Sequence, residues 1–195
     1  MIKADKIKLY IALLHYPVLN KNGSLIASAI TNLDLHDIAR AAKTFGVKTF
    51  YVVTPYLDQT KMAQNIIGHW TCGRGGEYNP IRREALELIK IRKSFDDVIK
   101  EVEDIEKIKP VTVATCAKTY ANNISYPKLY NMIRKDEPFI LTFGTAWGLS
   151  KEFIENADYI LESIKGTNMY NHLSVRSAVS IILDRLYTEK NFKDN

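Results

Sequence analysis

Short apolar runs of strand length alternate along this chain with longer segments whose apolar residues recur every three or four positions. The strand-like runs are Lys6–Leu14 (KIKLYIALL), Lys48–Val53 (KTFYVV), Leu86–Ile91 (LELIKI), Pro110–Thr115 (PVTVAT), Pro138–Phe143 (PFILTF) and Tyr159–Ile164 (YILESI). Strands that alternate with helices are joined by crossovers, which leave them parallel and place helices against the sheet. The expected fold is therefore α/β, a mostly parallel sheet with helices on both faces. Between the first two runs, Ile30, Leu33, Ile38, Ala41, Ala42 and Phe45 mark a helix that Gly46 closes. Thr60–Trp70 and Ser94–Ile108 also read as helices, the second capped by Ser94 with Asp96 and Asp97 in its first turn. Leu86–Ile91 is ambiguous, because a short apolar run could equally continue a helix from Ile81. Gly73–Tyr78 (GRGGEY) reads as a mobile loop, with Arg74 a candidate phosphate contact.

The last apolar pattern, Val175, Ala178, Val179, Ile182 and Leu186, has the spacing of a helix packed on a core. A polar group, Asn171, His172 and Ser174, stands at its mouth. Ser174 suits an N-cap, and the neighbouring backbone N–H groups suit a polar ligand. Ile181 and Leu183 extend the apolar surface beyond one narrow face, which predicts a homodimer.

With 195 residues, 46% of them hydrophobic, the chain has material for one substantial core, and no linker or repeat divides it. A single domain over residues 1–195 is expected. The net charge of +5 is compatible with an anionic partner. Cys72 and Cys116 are far apart and lack a Cys/His ligand pattern, so neither a disulfide framework nor a metal site is indicated. The apolar start LYIALLHY is too short to span a bilayer and has no signal-peptide pattern. These features point to a cytoplasmic protein without membrane association.

Ligands of parallel sheets collect at the carboxyl ends of strands. Three such ends are rich in small and polar residues: Val113–Asn123 (VATCAKTYANN), Thr142–Ser150 (TFGTAWGLS) and Ser163–Ala178 (SIKGTNMYNHLSVRSA). No G-x-G-x-x-G follows the first strand, and G-x-x-x-x-G-K-[ST] and G-x-S-x-G are absent, which argues against dinucleotide folds, P-loop NTPases and serine hydrolases.

Taken in order, Ile30–Val53 (ITNLDLHDIARAAKTFGVKTFYVV), Ile140–Ser150 (ILTFGTAWGLS) and Ser163–Leu183, with SIKG and NHLSVRSAVSIIL at its ends, resemble the three motifs of the SPOUT superfamily of RNA methyltransferases. More narrowly they resemble a small stand-alone bacterial family of that group. The resemblance implies a C-terminal trefoil knot, S-adenosylmethionine as methyl donor, tRNA or rRNA as substrate, and a homodimer. It places the donor against Thr115 and Cys116; Phe143, Gly144 and Thr145; Ile164 and Gly166; and His172, Leu173 and Ser174. On that basis Gly144→Val should obstruct the site with little effect on the fold. Arg40 matches the arginine of the first motif in the ribose 2′-O branch, six residues before Gly46, and is the candidate for orienting the acceptor or its phosphate. Arg40 and Arg74 are thus the candidate RNA contacts. Two departures leave the acceptor atom open: Asp34 replaces the usual asparagine, and GTAWGL lacks the acidic residue often found there, with Trp147 in the loop instead. The alternative reading is a catalytically silent RNA-binding or regulatory module of the same fold.

Overall fold

The computed structural model describes residues 7–168 and 170–188. In chain order the elements are β1 (Leu9–Leu14), β2 (Val18–Leu19), β3 (Leu25–Ile26), α1 (Asn32–Thr44), β4 (Thr49–Val53), α2 (Leu57–Thr71), α3 (Arg74–Tyr78), α4 (Pro80–Leu86), β5 (Ile89–Arg92), α5 (Phe95–Glu106), β6 (Val111–Ala114), β7 (Asn123–Ile124), α6 (Tyr126–Met132), β8 (Phe139–Gly144), α7 (Lys151–Glu155), β9 (Tyr159–Leu161) and α8 (Val175–Thr188). Seven strands form one sheet in the order β5-β4-β1-β8-β6-β9-β7. Every pairing within it is parallel. The hairpin β2–β3 is antiparallel and stands apart.

The order reverses beside β1, whose neighbours are β4 on one side and β8 on the other. Both late strands are insertions, β8 between β1 and β6 and β9 between β6 and β7. Such a reversal opens a crevice at the carboxyl ends of the strands, because the connections there leave in opposite directions.

Alternation of side chains divides the core into two layers. From β1, Leu9, Ile11 and Leu13 pack with Ile38 and Ala42 of α1, Leu86 of α4 and Val179, Leu183 and Leu186 of α8. Tyr10, Ala12 and Leu14 face the other way, onto Val98 and Val102 of α5 and Ile154 of α7. Helices on both faces explain why β1 is uniformly apolar where a half-exposed strand would alternate.

The helix starts follow their caps. Thr31 accepts from the Asp34 N–H at α1, and Ser94 and Asp97 form a reciprocal capping box at α5. Several expectations need correction. Leu86–Ile91 is divided, α4 ending at Leu86 and β5 beginning at Ile89, so the ambiguous run is helix end and strand start together. Within Gly73–Tyr78, where a loop is expected, Arg74–Tyr78 form the short helix α3. A Cβ on Gly76 would lie 2.3 Å from the Trp70 carbonyl oxygen, and one on Gly75 2.8 Å from the His69 ring. Those glycines serve close packing on α2, which outweighs their low helix propensity of about 1 kcal/mol each. β9 stops at Leu161, short of Ile164. On α1, Leu33 is exposed and the buried face is Leu35, Ile38, Ala39 and Ala42. Leu183 is fully buried in its own core, which removes it from the surplus apolar surface and leaves half-buried Ile181.

Candidate cofactor and substrate site

The carboxyl ends of β6, β8 and β9 lie side by side. Ala114 is in register with Thr142 on one side and with Ile160 on the other. Just past that level the Thr115 N–H and hydroxyl both donate to the Thr142 carbonyl, at 3.1 and 2.9 Å, joining the first two expected donor loops directly. Thr115 and Cys116 are half-buried, and the Cys116 sulfur accepts from the Lys118 N–H at 3.3 Å. The Phe143 side chain belongs to the core, so only its backbone is available to a ligand. Thr145 is buried, its hydroxyl donating to the Leu14 carbonyl at 3.0 Å and sharing a short hydrogen bond with Ser28. Ser28 in turn bonds His15 Nδ1 at 3.0 Å. Burial pushes the His15 imidazole down to about 4, against the opposing influence of the Asp34 charge, so this ring is neutral near pH 7.

The third loop joins the others through a residue outside the expected set: the Asn171 side-chain amide donates to the Ala117 carbonyl at 2.8 Å. Ile164 is half-buried against the core, whereas Gly166, His172, Leu173 and Ser174 are exposed. Gly166 stands clear of the other expected residues, the nearest atom to a Cβ built there being the Tyr170 carbonyl oxygen at 3.9 Å. The His172 ring lies edge-on to Tyr170 at 5.5 Å. Ser174 does cap α8, accepting from the Ser177 N–H at 3.4 Å. The backbone N–H groups of Gly166, His172 and Leu173 have no hydrogen-bond partner among the described residues. Free N–H donors beside a half-buried apolar side chain and small hydroxyl and thiol groups suit a ligand with an aromatic base, ribose oxygens and a carboxylate, as S-adenosylmethionine has.

Arg40 is exposed on α1, where this helix meets α8. It lines an open groove of about 570 Å³ with Asp37, Thr44, Arg176, Ser180 and Ile181. Its guanidinium has no ion-pair partner among the described residues, whereas Arg176 binds Asp34 at 3.3 Å and Asp37 at 3.5 Å. Asp34 is buried and also accepts from the Thr31 hydroxyl at 2.7 Å. The carboxylate that departs from the family pattern is thus occupied in holding α8 to α1. No local signal in the sequence connects residues so far apart. His36, on the turn before Arg40, is half-buried and edge-on to Trp70 at 5.4 Å. Its pKa is lowered, first by burial and then by the Arg82 charge. Arg74 is exposed on α3 without an ion pair among the described residues. No cluster of His, Cys, Asp and Glu among the described residues could hold a metal ion, and none of their helices is long and apolar enough to cross a membrane.

The chain is 41% identical over 180 residues, 92% of its length, to a protein of Aquifex aeolicus described as uncharacterized, of which it covers 88%. It is 43% identical over 91% of its length to a tRNA (guanine-N(1)-)-methyltransferase of Nitratidesulfovibrio vulgaris but spans only 41% of that protein. A more distant relative, the tRNA (cytidine-2'-O-)-methyltransferase TrmJ of Sulfolobus acidocaldarius, is 27% identical over 80% of the chain and 60% of its own length. Among solved structures, a methylase-family protein of Neisseria gonorrhoeae superposes with a TM-score of 0.64 at 16% identity, over 98% of this chain and 86% of its own. The SpoU methyltransferase AviRb of Streptomyces viridochromogenes, crystallised with S-adenosylmethionine, superposes with a TM-score of 0.57 at 16% identity, over 95% of this chain and 61% of its own. The fold is that of the SPOUT methyltransferases. Residues 8–188 match the family of S-adenosylmethionine-dependent RNA methyltransferases, and to that family this chain belongs.

Proposed function

We propose that this chain works as one SPOUT domain that transfers the methyl group of S-adenosylmethionine to tRNA or rRNA in the cytoplasm, with the ribose 2′-oxygen as acceptor. The observation that carries this reading is the alignment of three strand ends, β6, β8 and β9, beside a loop in which the N–H groups of Gly166, His172 and Leu173 have no partner among the described residues. Thr115, Cys116, Phe143, Gly144, Thr145, Ile164, Gly166, His172, Leu173 and Ser174 would hold the donor, with the chain threaded into a trefoil knot around it. Methyl transfer from a sulfonium is an in-line displacement, so positioning and loss of the acceptor proton are what the protein must supply. Arg40 would orient the acceptor or its phosphate, and Arg74 would contact the RNA backbone.

The 2′-oxygen is favoured by Arg40 at the first-motif position and by the similarity to a tRNA cytidine-2'-O-methyltransferase. This chain spans only 41% of the relative named for a guanine-N1 reaction, so that reaction does not carry over to it. A homodimer through the groove lined by Arg40, Arg176 and Ile181 would cover Ile181. One observation favours a silent RNA-binding module instead: Asp34 is committed to Arg176 and is not free to assist an acceptor. Mass spectrometry of nucleosides from the RNA of cells with and without the gene tests the proposal. A 2′-O-methylated nucleoside lost with the gene supports it; a lost base-methylated nucleoside refutes the acceptor; unchanged RNA favours the silent module.

A further inference from the structure

Three exposed aromatic rings stand at the carboxyl ends of three adjacent strands. Tyr16 follows β1, Tyr56 follows β4 and Trp147 follows β8, and these strands are neighbours in the order β4-β1-β8. Their exposures are 39%, 48% and 64%, large for side chains that normally bury most of their surface. The Tyr16 and Tyr56 rings meet edge-to-face at 6.0 Å. Trp147 is held outward by a tight turn in which the Gly148 N–H donates to the Thr145 carbonyl at 2.9 Å. Within that turn Ala146 adopts a φ of 52°, a left-handed conformation that costs about 1 kcal/mol for a residue with a Cβ.

The same turn is tied to the segment after β1. The Trp147 N–H donates to the Leu19 carbonyl at 3.0 Å, the Leu19 N–H to the Gly148 carbonyl at 2.9 Å, and Val18 bridges Leu149. Ser28, beyond the β2–β3 hairpin, bonds both His15 and Thr145. The rings are therefore mounted on a braced frame, and Trp147 is two residues from Thr145 of the donor loop.

We infer that Tyr16, Tyr56 and Trp147 form a stacking platform for unpaired RNA bases, seating the single-stranded segment that carries the acceptor nucleotide next to the methyl donor. The inference rests on the proposed RNA substrate. A base is the occupant because every nucleotide offers a flat π-face, aromatic side chains bind it regardless of sequence, and RNA that must expose one nucleotide for reaction unstacks there. The position beside the donor loop means that whatever lies on Trp147 lies at the entrance to the reaction. Phosphates are served separately, by arginines such as Arg40 and Arg74, which carry no ion pair among the described residues.

Binding is read by anisotropy of a labelled oligoadenylate of about ten nucleotides, compared with an RNA duplex of the same length. Tyr56→Ala and Trp147→Ala should each weaken the single strand at least about fivefold. S-adenosylmethionine affinity by calorimetry and mass by light scattering should stay unchanged. The chain has two tryptophans, so in Trp70→Phe protein the single strand should quench the emission of Trp147 and the duplex should not. Unchanged oligoadenylate affinity in both alanine variants, equal binding of the duplex, or an altered mass that makes the patch a contact between copies overturns the platform. Stacking without methyl transfer to total cellular RNA leaves the platform standing and overturns the enzymatic reading.

Discussion

Arg40 is the side chain on which positioning of the acceptor depends in the proposed reaction. The resemblance to SPOUT proteins singles it out, and the packing of α1 on α8 puts it in a groove with Arg176 and leaves it without an ion pair among the described residues while Arg176 takes both Asp34 and Asp37. Arg40→Ala should therefore leave S-adenosylmethionine affinity near wild type and lower RNA methylation by about a hundredfold, the scale of a lost positioning or acid–base group. Calorimetry and a transfer assay on the same protein check the two halves. Arg176→Met tests the neighbouring pair. It strands a buried carboxylate that keeps only its bond from Thr31, and should cost about 1 kcal/mol in urea unfolding, since the arginine is about one-third exposed. Asp34→Asn with Arg176→Met should recover part of that loss. His15 gives a pH prediction. Its folded pKa of about 4 lies below the ordinary value near 6.5, so the unfolded chain takes up a proton between those values and the folded chain does not. The stability held above about pH 6.5 is lost as the pH falls toward 4. His15→Gln should flatten this part of the profile, measured as urea midpoints across that range; an unaltered slope contradicts the burial of a neutral ring.

At the level of elements, strands and helices with strong periodicity were readable, and the places where periodicity misled have local causes. Arg74–Tyr78 is helical because Gly75 and Gly76 let α3 approach α2 more closely than any side chain permits, a tertiary reason that no window of sequence contains. β7 is two residues long and is defined by its partner β9, so its own sequence carries too little pattern to be found. The loops proposed to hold the donor were visible as small-residue strand ends, but not which of their atoms lack a partner among the described residues. Gly144 shows the difference. A Cβ there would lie 2.6 Å from the Leu149 nitrogen, so Gly144→Val disturbs the fold and is no clean probe of the site, contrary to expectation. Gly144→Ala should already cost about 1–3 kcal/mol in urea unfolding. Gly166→Val is the cleaner probe, because its Cβ would meet nothing closer than 3.9 Å. It should leave stability unchanged and weaken S-adenosylmethionine by roughly tenfold in calorimetry, about 1.4 kcal/mol. Equal affinity in wild type and variant would remove Gly166 from the donor site.

For the whole molecule, the α/β class followed from alternating patterns, and the order of the strands did not. Insertion of β8 between β1 and β6 and of β9 between β6 and β7 depends on contacts distant in sequence, which no local pattern carries. Leu183 is consumed by its own core, and Ile181 at the groove is the apolar surface that a homodimer would cover. A dimeric mass in light scattering at micromolar concentration, reduced to monomer by Ile181→Glu, is the expected outcome; a monomeric wild type contradicts it. The central claim is that this site moves a methyl group from S-adenosylmethionine to RNA. It is tested most directly by incubating the purified protein with methyl-labelled donor and total cellular RNA, with and without prior ribonuclease digestion. Label that enters intact RNA, disappears after digestion and falls about a hundredfold with Arg40→Ala is the predicted result. RNA that binds the protein but acquires no label contradicts it.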